Sequence, residues 1–204
     1  MTVLYGSSVL DGTLTTASGM ATTTGGVETS KQTVLTGSNV YGEIWSQGNA
    51  GLATVTAIPA TPTGRGWIFY PGAGTFANAV WGAIITFAHI ASTTSDVTIR
   101  FFKYTGSYAS IGTINVATNT AAKTTWTFTN TTMPTVTTAA SDGIYIDLWY
   151  HDSNANAGGD NPTIYISNSA TQGVANDLQV TTSAFTPSSA TKLFICDGYG
   201  GVSS

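Results

Sequence analysis

This 204-residue sequence predicts an all-β fold, an antiparallel β-sandwich that is jelly-roll-like, with an extended or irregular N-terminal region. Three observations carry that expectation. Charged residues make up 8% of the chain, and threonine is its commonest residue; an ordinary soluble domain is about 25% charged. Threonine, valine, isoleucine and aromatic side chains suit a pleated surface and lose rotamer freedom in a helix. Short apolar runs alternate with polar residues at a period of two, and no stretch shows a capped 3.6-residue period. Turn residues recur between the runs, at Pro71-Gly72-Ala73-Gly74, Thr105-Gly106-Ser107, Ser141-Asp142-Gly143 and Ala157-Gly158-Gly159-Asp160.

Two regimes divide the chain. Residues 1–62 are rich in Gly, Thr and Ser and read as an N-terminal arm or irregular β region, with short β-like runs at 32–35 and 40–45. Residues 63–204 read as the β-sandwich domain, with strands expected at 67–70, 79–90, 97–104, 111–116, 124–130, 143–150, 163–167, 177–180 and 192–196. In the run at 97–104, Val97, Ile99 and Phe101 take the core side, while Thr98, Arg100 and Phe102 take the outside. In the run at 143–150, Ile144, Ile146 and Leu148 share one face, and Tyr145, Asp147 and Trp149 share the other. No repeat of fixed period is present, which argues against a propeller or solenoid.

The same composition narrows the chemistry. A hydrophobic fraction of 42% supports a real core. Net charge is −4, and the six cations Lys31, Arg65, Arg100, Lys103, Lys123 and Lys192 are scattered, so nucleic acid is not an expected partner. The longest apolar run, at 77–90, is interrupted by Asn78, Gly82, Thr86 and His89, and no membrane span is expected. Cys196 is the sole cysteine and reads as a core residue within Leu193-Phe194-Ile195-Cys196. His89 and His151 stand apart and do not make a zinc site. No nucleophile-elbow sequence occurs. Glycosidase chemistry needs two positioned carboxylates, and both glutamates, Glu28 and Glu43, fall in the weakly patterned N-terminal region. No enzyme is expected. Gly64-Arg65-Gly66, at the junction of the two regimes, reads as a loop or hinge.

Two clusters are candidate sites. Tyr145, Asp147 and Trp149, with Tyr165 on a neighbouring strand, would form a sugar platform if their face is wet, since rings stack on a sugar and a carboxylate accepts its hydroxyls. Packing against another layer or subunit is the competing reading of that row. Asp152, Asn154, Asn156 and Asp160 alternate in a Gly-containing stretch and would supply oxygen ligands to calcium. The competing reading is a solvated turn, for which Asn, Asp and Gly are the preferred residues. No other cofactor is expected.

From residue 67 to about residue 187 the chain resembles the jelly-roll structural proteins of tailed bacteriophages, of the small head-decoration and tail-associated kind. The resemblance lies in Gly66-Trp67-Ile68-Phe69, then Val97-Thr98-Ile99-Arg100-Phe101-Phe102-Lys103-Tyr104-Thr105-Gly106-Ser107, then Trp126-Thr127-Phe128. It continues through Ala140-Ser141-Asp142-Gly143-Ile144-Tyr145-Ile146-Asp147-Leu148-Trp149-Tyr150 and ends at Thr163-Ile164-Tyr165-Ile166-Ser167. It implies a virion structural protein, made in the host cytoplasm without a signal peptide. That protein would form a homo-oligomer, a trimer above all, clamped on the major capsid or another virion protein. Two other readings stand beside it: a carbohydrate- or receptor-binding jelly-roll module, and a self-assembling surface-layer or fibre subunit.

Overall fold

The structure is a computed structural model that describes residues 1–10, 12, 14, 16–21, 29–32, 35, 39–47, 54–88, 95–118, 124–152, 162–166 and 178–188. Strand and irregular structure account for all of them, with no helix among the described residues. The fold is all-β, of the β-sandwich, jelly-roll-like class. Its strands are β1 (Thr2–Leu10), β2 (Ser18–Ala21), β3 (Thr29–Gln32), β4 (Val40–Glu43), β5 (Trp67–Phe69), β6 (Gly74–Phe76), β7 (Ala79–Ala88) and β8 (Ser95–Tyr104). They continue as β9 (Tyr108–Thr118), β10 (Thr124–Met133), β11 (Val136–Thr138), β12 (Gly143–Asp152), β13 (Thr163–Ile166), β14 (Gln179–Thr182) and β15 (Phe185–Pro187).

Twelve strands share one sheet, ordered β3-β13-β7-β14-β1-β2-β5-β12-β8-β9, with β10 also on β7 and β4 also on β12. A second sheet of three short strands runs β11-β6-β15. The large sheet curls back on itself. β10 pairs with β7 along its length and lies beside β9, where Gly112 is pressed against Met133. The two long strands β7 and β12 are built alike. β12 pairs β8 along its whole length on one side, and on the other side is shared between β5 at Ile144–Ile146 and β4 at Trp149–Asp152. β7 pairs β10 on one side and is shared between β14 and β13 on the other.

Several expectations change. The region at 1–62, expected as an arm or irregular β region, contributes strands to the sheet: β1 pairs with β14 and β2, and Leu4, Met20, Val40 and Ile44 enter the main core. Their apolar residues are sparse, yet a central place in the sheet satisfies their backbone groups. The sheet is mixed rather than purely antiparallel, because β2 and β5 run parallel. The long connection through β3 and β4 makes that crossover possible. β6, β11 and β15 were not anticipated; they are three-residue strands, too short to show alternation. The expected strand at 192–196, Cys196 and His89 lie outside the described residues.

Two apolar clusters hold the layers. The main one lies inside the curled sheet and includes Trp67, Phe76, Trp81, Phe101, Ile144, Ile146, Leu148 and Tyr150. The second lies on the outer face of β5, β8 and β12 and has four buried members, Ala17, Ile68, Phe102 and Tyr145, fringed by Leu14, Tyr70, Tyr104 and Tyr108. Each fully buried large apolar side chain contributes about 1.5–3 kcal/mol, so the main cluster dominates stability and the outer one is a light attachment. It holds Leu14 and Ala17 against the sheet. A strap, residues 54–66, leaves the line of β4 and returns into the line of β5. One end is pinned where Tyr41 and Val55 exchange backbone hydrogen bonds at 2.8 and 3.0 Å. At the other end Ser18 N donates to Gly66 O at 3.0 Å, and Thr16 Oγ1 donates to Gly64 O at 2.8 Å.

Candidate functional site

The alternation of β12 is as read from the sequence, but both of its faces are covered. Tyr145 and Asp147 are 0% exposed and Trp149 is 3% exposed. The residues placed outside on β8 are buried with them: Thr98, Arg100 and Phe102 are at most 9% exposed. The reason is the strap, whose Pro59 O, Thr63 and Gly66 meet Arg100, Glu43 and Tyr145, together with Leu14 and Ala17, all from a distant part of the chain. Tyr165 is not in this group. It sits on β13, opposite Thr86 of β7, in another part of the sheet. Asp152 is buried at the far end of β12, opposite Val40 and Ser95 and on the other face from Asp147. Asn154, Asn156 and Asp160 lie outside the described residues.

Register assembles the buried group. Antiparallel pairing sets Arg100 opposite Asp147, Phe102 opposite Tyr145, and both Thr98 and Glu43 opposite Trp149. Directly opposed residues share a face, so one arginine and two carboxylates meet under the strap. Arg100 Nε donates to Asp147 Oδ1 at 2.9 Å and Nη2 donates to Oδ2 at 2.5 Å. This two-pronged geometry uses the planar fork of the guanidinium. Its remaining arm, Nη1, donates to Pro59 O of the strap at 2.6 Å. The rings of Phe102 and Trp149 flank it, with centroids 5.1 and 5.7 Å from Cζ. Burial pushes the Asp147 carboxyl up, and Arg100 opposes that push through hydrogen bonds and charge.

Glu43 is the second carboxylate, 2% exposed. Its two oxygens lie 2.6 and 2.7 Å from the single hydroxyl of Thr63 on the strap. Loss of water pushes its pKa up to about 7, Asp147 adds to the rise, and Thr63, Arg65 and Arg100 oppose it. The Arg65 guanidinium lies over Trp45, 5.4 Å from the ring centroid. Tyr145 completes the group: its hydroxyl accepts from Gly66 N at 2.8 Å, and burial raises its pKa. A Cβ at residue 66 would run into Ile146 O, so the strap rejoins the sheet at a point only glycine can occupy. Further along the face, His151 stacks on Tyr41 with centroids 4.2 Å apart, its Nδ1 3.0 Å from Asp96 Oδ1 and its Nε2 3.0 Å from Asn39 Oδ1.

The arrangement is a clamp. Its ionisable groups face each other and the strap rather than an open cleft. Two recesses among the described residues lie elsewhere: one of about 310 Å³ over Gly82, between Val80, Ile84, Thr127 and Thr181, and one of about 190 Å³ between Ala109–Ile111 and the 134–137 segment. Neither is lined by a carboxylate or a histidine. Among the described residues no group of three or more His, Cys, Asp or Glu is placed to hold a metal ion, and no helix is long and apolar enough to cross a membrane.

No protein-family model matches the chain, and no curated protein matches it. Among solved structures, a chain of the "Structure of infectious bursal disease virus Gx strain" is similar to it at 12% identity and a TM-score of 0.25. The likeness covers 90% of this chain and 59% of that one. At that distance it assigns neither topology nor role.

Sequence reasoning missed Glu43, Arg65 and Thr63 as members of the cluster and placed Arg100 on the wrong side of a solvent boundary. The available signal was weak: three charged residues and a Gly-x-Gly junction in a chain with very few charges.

Proposed function

We propose that this protein is a non-catalytic structural subunit of an assembled particle, and, following its resemblance to phage jelly-roll proteins, a virion decoration or cement subunit acting through oligomeric contacts. The observation that carries the reading is where the charge goes. The ionisable residues on the outer face of β8 and β12 neutralise one another away from solvent, as Arg100 does with Asp147. The exposed positions of β9, β10 and β11 are mostly threonine, with asparagine, serine and alanine beside them, including Thr113, Asn115, Thr125, Thr127, Thr132 and Thr137. Threonine hydroxyls also meet across strands, Thr86 with Thr125 at 3.0 Å and Thr75 with Thr137 at 3.5 Å. Such a surface enters a subunit contact without stripping water from many ions.

A glycan- or receptor-binding role is the second reading. It is favoured by Tyr104 and Tyr108, partly exposed at the margin of the outer face with ring centroids 5.0 Å apart. Light scattering coupled to size exclusion, with and without calcium, tests both. A trimer or larger closed oligomer, indifferent to calcium, supports the decoration subunit. Open-ended polymers point instead to a fibre or surface layer. A monomer at every concentration, stabilised by calcium and retained on immobilised glycans, overturns the first reading in favour of the second.

A further inference from the structure

We propose that residues 54–66 form a pH-sensitive latch, which Glu43 holds shut while it carries a proton and loosens when that proton leaves, letting water reach the Glu43, Arg100 and Asp147 cluster. The inference stands apart from the structural role proposed above.

The geometry at Thr63 carries it. Thr63 Oγ1 lies at hydrogen-bond distance from both oxygens of Glu43, and the same Oγ1 accepts from Arg65 N at 3.3 Å. Thr63 has one proton to give. A protonated Glu43 makes both short contacts into hydrogen bonds: its O–H donates to Thr63, and its carbonyl oxygen accepts from Thr63. An ionised Glu43 keeps one of them and holds a second oxygen against Thr63 with no proton of its own to share.

The surrounding charges point the same way. The groups facing Glu43 are Asp147 and Tyr145 on β12, Arg100 on β8, Tyr108 on β9 and Arg65 on the strap. Arg100 is already engaged by Asp147 through two hydrogen bonds. Burial and neighbouring negative charge hold Tyr108 up to about 12, so it stays neutral across the physiological range. A second carboxylate charge therefore enters a dry site whose fixed cation is spoken for, and only Arg65 moves with the strap to meet it. Lifting the strap lets water reach Glu43. With Glu43 titrating near 7 when shut and near its ordinary 4.5 when hydrated, the open form gains up to tenfold per pH unit between those values and levels off above them. Between its pinned ends, Arg100 donates to the strap through a single hydrogen bond, at Pro59 O.

Hydrogen exchange of the amides of residues 56–65 in the full chain tests the latch, each rate divided by its intrinsic value at that pH. Protection should fall up to tenfold per unit from pH 5 to 7 and then flatten, while the amides of β8 remain more strongly protected than those of the strap at every pH. Glu43→Gln supplies a donor group and a carbonyl acceptor, as the protonated acid does, and should stay protected at every pH. Thr63→Val, at an exposed position, should show at pH 5 the low protection that the unmodified chain reaches at pH 8. A flat profile in the unmodified chain overturns the proposal. So does an E43Q profile that falls in parallel, a T63V variant as protected as the unmodified chain at pH 5, or amides of β8 no better protected than those of the strap.

Discussion

Asp147 and Arg100 stand directly opposite each other in the β12–β8 register and meet through two side-chain hydrogen bonds on a face closed to water. Leaving either one alone buries an uncompensated charge. Asp147→Ala is expected to destabilise the fold by about 3–5 kcal/mol, read from the urea midpoint. Replacing both residues together, as Arg100→Met with Asp147→Leu, should recover most of that loss. A double variant as unstable as the single one would mean that the pair is not the source.

The pH dependence of global stability follows from Glu43. Its folded value of about 7 lies above its ordinary 4.5, so the folded chain binds more protons than the unfolded chain between those limits. Stability is then fully present below about 4.5 and declines as pH rises to about 7, by at most about 3 kcal/mol. Glu43→Gln should remove Glu43's share of the decline and be more stable than the unmodified chain at pH 8. Chemical denaturation at pH 5 and pH 8 checks the sign.

Gly66→Ala should cost about 1–3 kcal/mol or more, because the new methyl meets the backbone oxygen of Ile146, which cannot step aside as a side chain would. Gly19→Ala in β2 meets nothing within 4 Å and serves as the control. Thermal melts of the two variants should separate clearly.

Tyr145→Phe keeps the ring in the outer cluster and removes the acceptor for Gly66 N. The stranded donor is worth about 1–3 kcal/mol. A larger acceleration of exchange at the Gly66 amide than at the amides of β8 is the expected signature.

How much was legible beforehand can be told from β12 and its neighbours. The alternation of Ile144, Ile146 and Leu148 with Tyr145, Asp147 and Trp149 places those side chains on the faces they occupy. Period two says nothing about what lies over the second face, and the cover comes from residues about 80 positions earlier. Arg100 was placed outside because a lone cation in a strand normally marks solvent; only the β8–β12 register reveals its partner. Glu43 looked unremarkable because the pairing of β4 with β12 spans more than a hundred residues. For β1 and β2 the missing signal was apolar content, since backbone pairing rather than side-chain burial holds much of those strands.

The shared pairing of β7 and β12 has a mechanical consequence. Each is a continuous course laid across a joint between two short strands, β14 and β13 in one case and β5 and β4 in the other. Tension along β4 passes through β12 into β5 instead of opening the gap between them. The strap fills the joint on β12 from outside, so the spot where this brickwork would part is also the spot that Arg100, Asp147 and Glu43 hold together.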